Sequence, residues 1–379
     1  MTDRGLKALE NLMFRTAPQD LAEELGGWRE ELRAQYAGAA EDELRGEAAE
    51  LLAENAVDLQ SVLTEWNLKD AYRHGDLALT DEQLAEESEK GLAQLAEWGR
   101  PDLADNARAQ IAGIKSSNLA KLTRMALAGD VNTFWGNDYA AGLRNAMRRG
   151  AAMVTTNPVL VNIARTEDPA YWTGVRDKLQ KQYPAFDPVQ LGYALTIQVV
   201  LENARLLRPI WELTGGDMGY VSLQLSPKEA KNAEAMVEGA RWVWERLENS
   251  LGGVPNCVFK VPGTKAGIEV VETITAEAMG VNVTVNFSLP QQIAFAGAIE
   301  NNSTAQVCYR TQMDGRLDDP VGDELKAAGV SDWEQVKTWA TTAIRQREYK
   351  MICLPPTEGR LGIDSSIPLP ASGRGPWNI

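Results

Sequence analysis

Histidine is nearly absent from this 379-residue sequence, with His74 the only one. Cysteine is scarce as well: Cys257, Cys308 and Cys353 stand far apart, with no CxxC pair. A His-based zinc site, a Ser-His-Asp triad and a Cys-His pair therefore have almost nothing to be built from. Three scattered cysteines fit a reducing compartment, so a cytoplasmic location is expected. Positive charge is also short, with 38 Lys and Arg against 53 Asp and Glu and a formal net charge of −15. That excess argues against nucleic acid or an anionic membrane as the main partner. It does not exclude phosphate ligands, because two or three local Arg residues suffice for one. No apolar run approaches the ~20 residues that span a bilayer, and the opening MTDRGLKALENLMF lacks a signal-peptide core. No metal and no cofactor is expected. Any chemistry must then use lysine, carboxylates and hydroxyls.

What is present is an ordinary globular mixture, 44% hydrophobic and 24% charged, long enough for a barrel of about 250 residues plus an extension. The texture changes near residue 128, which divides the chain into an acidic helical extension, 1–128, and a second region, 129–379. Residues 1–125 hold 25 Asp and Glu against 14 Lys and Arg. Apolar residues recur there at helical spacing over Leu21–Tyr36, Glu41–Trp66, Asp81–Trp98 and Pro101–Leu127. Thr80 is placed to cap the third of these, with Gln83 completing a capping box. The acidic runs EDELRGEAAE and DEQLAEESEKG read as solvated helix faces, with a partner-docking face as the alternative. His74 falls in a polar turn and carries no evident chemistry.

From residue 129, short β-rich runs alternate with amphipathic helices. The strand candidates are Asn132–Gly136, Ala152–Thr156, Gly219–Leu225, Cys257–Val261, Val281–Phe287, Gln306–Thr311 and Lys350–Leu354. Helical stretches fall at Pro227–Leu247, Ala266–Met279, Leu289–Glu300 and Trp333–Tyr349. Repeated βα units with apolar strands predict an α/β fold with a parallel sheet, and the length favours a (β/α)8 TIM-type barrel. Seven strands are legible. The eighth is either irregular, drawn from the Pro- and Gly-rich tail near Ile367–Leu369, or missing. A missing strand would leave sheet edges that something must cover, so the extension is a candidate assembly surface and a homo-oligomer is an open expectation.

In such a barrel the side chains at the C-terminal strand ends face the site. Those ends read Asn137/Asp138, Thr155-Thr156-Asn157, Gln224, Lys260, Thr284 with Asn286, and Thr311 through Arg316. The set is polar and poor in metal ligands, and it holds one lysine within an apolar strand, Val258-Phe259-Lys260-Val261-Pro262. Burying an ammonium is costly, and burial favours the neutral amine that attacks carbonyls. A structural lysine paired with a carboxylate is the competing explanation. Lys265 falls in the following loop and is expected in solvent.

FKVPGTKAG followed by GVNVTVNFSLPQQ resembles the Schiff-base lysine segment of transaldolases and fructose-6-phosphate aldolases. VTTNP at 154–158, VSLQLSP and DGRLDD at 314–319 are similar to that family's second-strand, third-strand and post-sixth-strand segments. The resemblance covers roughly residues 130–355. It implies Lys260 as the nucleophile of a cofactor-free transferase that moves a dihydroxyacetone unit between sugar phosphates. Thr156, Asn157 and Asn282 would hold substrate hydroxyls, and Thr284 would assist proton transfer through a water. The family's first-strand Asp has Asp138 as its preferred counterpart, with Asn137 beside it as the other occupant of that position and Asp130 at the wrong, N-terminal strand end; Asp138 as a mere helix cap is the competing explanation. Three positions depart from the pattern. Gln224 stands where transaldolases carry Glu, Met313 where the aldolase branch carries Tyr, and Thr311 where Ser is usual. Arg316 matches the family arginine for the substrate phosphate, and Arg360 is a second, weaker candidate. Two alternatives stay open: an aldolase-like lyase, and a non-catalytic barrel that binds sugar phosphates.

Overall fold

A computed structural model describes residues 3–39, 42–66, 79–131, 133–138, 142–353 and 377–378. His74, Arg360 and the tail segment 367–369 lie outside the described residues. The chain forms two compact units, Met1–Val154 with Leu206–Gly219, and Thr155–Arg205 with Tyr220–Ile379.

Among the described residues of the first unit are helices α1 (Asp3–Phe14), α2 (Leu21–Gly38), α3 (Asp42–Leu59), α4 (Asp81–Glu97), α5 (Pro101–Lys115) and α6 (Asn118–Ala128). Leu21, Leu25 and Leu32 follow one stripe of α2 and are buried with Leu52, Leu92 and Leu95. Fully burying each such side chain contributes about 1.5–3 kcal/mol. Thr80 forms the expected capping box, its hydroxyl accepting from Gln83 N while Gln83 Oε1 accepts from Thr80 N. The stretch Pro101–Leu127 is two helices because Ser117 interrupts it, its hydroxyl capping α6 at Ala120 N. Strand β1 (Trp135–Asn137), helix α7 (Leu143–Met147) and strand β2 (Ala151–Thr155) follow, with β1 parallel to β2. Gly150, at φ 97°, leads into β2, and a Cβ there would collide with the Thr123 side chain.

A buried ionic cluster ties α3 to α7. Arg148, 2% exposed, donates to Asp58 Oδ1 at 2.7 Å and Glu54 Oε2 at 2.6 Å. Arg144 also pairs with Asp58 and, at 3.3 Å, with Glu54. The helices before residue 128 are therefore anchored to the first βα unit by charges that lose their compensation if one partner goes.

In the second unit, β3 (Tyr220–Gln224), β4 (Cys257–Pro262), β5 (Gly280–Thr284) and β6 (Cys308–Gln312) run parallel in that order. The helices between them are α11 (Ala233–Leu251), α12 (Lys265–Ala276) and α13 (Leu289–Asn302). Before β3 come α8 (Pro158–Glu167), α9 (Pro169–Gln182) and α10 (Pro188–Leu213), whose residues from Leu206 onward belong to the first unit. Val221, Leu223, Phe259, Val261, Val281 and Val283 are all 0% exposed, as strands covered on both faces require.

Several expectations need correction. The helix expected over Pro227–Leu247 starts only at Ala233, where Asn232 caps it, after a separate 3-10 turn at Pro227–Glu229. The strand over Val281–Phe287 stops at Thr284, because Val285 adopts φ 54° and leaves the β region. Trp333–Tyr349 is not continuous: α15 (Trp333–Val336) and α16 (Trp339–Glu348) are separate, after α14 (Gly315–Ala327). Lys350–Leu354 is not a strand. Tyr349–Cys353 continues α16 as a π-helical turn that buries Ile352. The chain beside β6 is instead β7 (Trp377–Asn378), parallel to it with Thr311 opposite Trp377. Seven strands are thus present among the described residues, and no helix among them is long and apolar enough to cross a membrane.

Candidate active site

Contacts between non-adjacent strands identify the concave face of β3–β6. The Tyr220 and Tyr309 rings, on β3 and β6, meet edge to face at 6.3 Å. Asn282 on β5 reaches across β4 to Ser222 on β3, Nδ2 to Oγ 3.4 Å. Only a curved sheet lets such side chains meet, and only on its inner side. Alternation then places Ser222, Gln224, Val258, Lys260, Asn282, Thr284, Tyr309 and Thr311 on that side. Register puts Lys260 between Gln224 and Asn282. Lys260 is 5% exposed, and Asn282, Ser222 and Thr311 are 0% exposed. The structure therefore brings together Lys260, Gln224, Asn282, Thr284 and Thr311.

Their hydrogen bonds fix what each group can offer a ligand. Thr311 Oγ1 donates to Asn282 Oδ1 at 2.7 Å, so the threonine oxygen is left to accept and the Asn282 amide nitrogen to donate. Thr156 Oγ1 donates to Ser222 O at 2.6 Å, and Thr156 N donates to the same carbonyl at 3.1 Å. Thr156 can therefore only accept further. Asn157 caps α8: its Oδ1 accepts from Val159 N and Leu160 N, each at 3.0 Å, leaving its amide nitrogen as a donor. Thr284 Oγ1 lies 3.5 Å from Met313 Sδ, which also takes the Val285 N–H at 3.1 Å.

The rest of the lysine segment is scaffold. Thr264 caps α12 through Gly267 N at 3.0 Å and donates to Ala230 O at 2.7 Å. A Cβ on Gly267 would run into Pro262 O, which explains a glycine three residues after the cap. Gln291 Nε2 bridges Gly263 O at 2.9 Å and Val285 O at 3.3 Å, joining the loops after β4 and β5. Lys265, the first residue of α12, is exposed.

The remaining candidates lie on other elements. In the first unit, Asn137 ends β1 and Asp138 follows it, exposed, at that strand's C-terminal end. Asp130 lies just past the Gly129 cap of α6, with its N–H bonded to Met125 O. Arg316 is exposed in the first turn of α14, and Arg360 is outside the described residues. Ser222 was missed by the sequence reading, although period-two alternation already places it on the Gln224 side. Burial pushes the thiols of Cys257 and Cys308 up to about 12 and about 11, which removes them as thiolate nucleophiles at neutral pH. Among the described residues no cluster of three or more His, Cys, Asp or Glu could hold a metal ion.

The sequence pattern of the family described as transaldolase/fructose-6-phosphate aldolase matches residues 141–343, more than half of the chain. The chain belongs to that family. A protein named Transaldolase from Neisseria meningitidis serogroup C (strain 053442) is 28% identical over 247 residues, covering 55% of this chain and 68% of its own length. A Transaldolase from Thiobacillus denitrificans is 34% identical over 212 residues, covering 53% and 56%. A third, from Thermobifida fusca, is 33% identical over 151 residues, covering 40% and 39%. The family match includes every strand from β2 to β6, with Lys260, Thr284, Asn282, Thr156, Asn157, Thr311, Gln224 and Arg316. It begins after Asp138 and ends before Arg360.

Proposed function

We propose that the protein is a transaldolase-type transferase, moving a dihydroxyacetone unit between sugar phosphates through a Schiff base on Lys260. The observation that carries this reading is a buried lysine in a row of neutral amide and hydroxyl groups, on the family's lysine segment. In the proposal, residues 129–379 make an irregular (β/α)8 barrel, residues 1–128 are its extension, and the enzyme works in the cytoplasm.

The neutral amine of Lys260 adds to the ketose C2 carbonyl, and loss of water gives an iminium ion. The iminium draws the electrons of the breaking C3–C4 bond into an enamine while a base removes the C4 hydroxyl proton. An aldose phosphate departs. The enamine then attacks a second aldose, the new hydroxyl is protonated, and water releases the product ketose. Asp138 is proposed for the base. Thr284 and Gln224 would position the water that serves imine formation and hydrolysis; Gln224 itself cannot exchange a proton near neutrality. Thr156 and Thr311 would accept from substrate hydroxyls, while Asn157 and Asn282 would donate to substrate oxygens. Arg316 and Arg360 would bind the phosphate.

A two-substrate exchange assay tests the reading. Fructose 6-phosphate with an aldose-phosphate acceptor is expected to yield a new ketose phosphate, with no free dihydroxyacetone. Free dihydroxyacetone would make the protein a lyase of the same chemistry. Binding without turnover would leave a sugar-phosphate-binding barrel.

A further inference from the structure

We propose that Asn286, just past the end of β5, binds a hydroxyl on the aldose half of the substrate and so selects the acceptor. The inference rests on the transferase reading above. Asn286 is 0% exposed, and neither its Nδ2 nor its Oδ1 has a hydrogen-bond partner on the protein. Among the described residues no other buried carboxamide is in that state. Asn203 and Asn256, for example, each donate from Nδ2 to a main-chain carbonyl, at 2.8 and 2.9 Å. A buried amide with both ends unpaired lowers stability, so an apolar side chain would serve the fold better.

The neighbouring amides are committed elsewhere. Gln291 Nε2 donates to Val285 O at 3.3 Å, Gln291 Oε1 accepts from Phe287 N at 3.3 Å, and Gln312 Nε2 donates to Phe287 O at 3.2 Å. These bonds hold the main chain on both sides of Asn286 and leave its carboxamide to a ligand. Val285 makes the turn at φ 54°, a strained setting for a β-branched residue, and it is the Val285 side chain that is exposed. The Asn286 carbonyl accepts from Met313 N at 2.9 Å, which keeps the residue beside the chain leaving β6. Of the groups on a sugar phosphate, a carbonyl and a phosphate dianion only accept, and would satisfy Nδ2 alone. A hydroxyl, or two on adjacent carbons, both donates and accepts, and answers both ends of the amide. Register pairs Asn282 with Lys260 and Thr284 with Pro262, so Asn286 lies beyond both toward the mouth. The carbons it meets are then those remote from the Schiff base, past the C3–C4 bond, in the aldose that leaves and the aldose that enters.

The test pairs a substrate change with a residue change. Fructose 6-phosphate is the donor, and the acceptors are erythrose 4-phosphate and its 2-deoxy and 3-deoxy analogues. The unsubstituted protein is expected to favour the full acceptor over one analogue by about tenfold or more in kcat/KM, because the missing hydroxyl leaves the amide unpaired. Asn286→Leu, with the same number of side-chain heavy atoms, should reduce that preference to less than twofold and still give a borohydride-trapped adduct on Lys260. Its melting temperature without substrate should hold or rise. Asn286→Ala should lose the preference as well, which covers the case in which leucine does not fit. A preference that survives in both variants assigns the amide to the fold or to a buried water and overturns the proposal. Exchange in the unsubstituted protein with no preference among the three acceptors also overturns it, and leaves the transferase reading standing. Neither adduct nor exchange in the unsubstituted protein overturns the transferase reading and this inference with it.

Discussion

The two faces of β6 are both polar and have opposite character. On the concave side, Thr311 joins a neutral chain through Asn282 to Ser222. On the outer side, Arg310 and Gln312 enter a charged network. Arg310 Nη1 donates to Glu348 Oε1 at 3.0 Å and to Gln292 Oε1 at 3.3 Å, while Gln292 Nε2 donates to Gln312 Oε1 at 3.1 Å. Arg310 is 3% and Glu348 0% exposed. One strand thus separates an ion pair that fastens helix α16 from uncharged groups beside a lysine. The outer network is stability chemistry, and the inner chain is where the proposed function places the substrate.

Breaking the inner face alone has the largest expected effect. Lys260→Met should cut exchange activity on the order of a thousandfold or more, with circular dichroism and melting temperature nearly unchanged. Breaking the outer face should do the opposite. Arg310→Ala leaves the Glu348 carboxyl without its donor in the interior, where it takes up a proton, and should cost about 1–3 kcal/mol of folding free energy in urea titrations, while residual folded protein still forms the lysine adduct.

The pH dependence sharpens the contrast. Burial pushes the Glu348 carboxyl up to about 7 against an ordinary 4.5, with Arg310 opposing the shift. Between those values the folded chain holds a proton that the unfolded chain has released. Stability from this group is therefore greatest below about 4.5 and is lost as pH rises through about 7. Glu348→Gln should flatten the melting-temperature profile across that window relative to the unsubstituted protein. The smallest effect is at the scaffold of the lysine segment. Thr264→Ala removes the α12 cap and should cost about 1 kcal/mol, measured by denaturant unfolding, without altering the identity of the trapped lysine.

Local signals were legible in the sequence. The Thr80–Gln83 capping box, the alternation of strands with helices up to β6 and the lone lysine in an apolar strand all need only a few neighbouring residues, and these features are present, with strand and helix ends shifted by a few residues. Readings that depend on distant partners were not legible. Lys-Met-Ile-Cys-Leu is an apolar run of strand length, and periodicity cannot separate that from a buried helical turn. Its continuity with α16 through the π turn decided the matter. Ser222 gains its meaning from a side chain two strands away, which the curvature of the sheet brings within reach. Arg310 looks like a misplaced charge until Glu348 is folded against it. Asn157 is a mixed case: Asn followed by Pro is a helix-start signal, and its carboxamide oxygen indeed serves the α8 cap.

The most direct measurement is borohydride trapping with fructose 6-phosphate, followed by peptide mass mapping. The account requires a three-carbon adduct on Lys260 that disappears in Lys260→Ala. An adduct on a different lysine, such as the exposed Lys265, or no adduct at all, would contradict it.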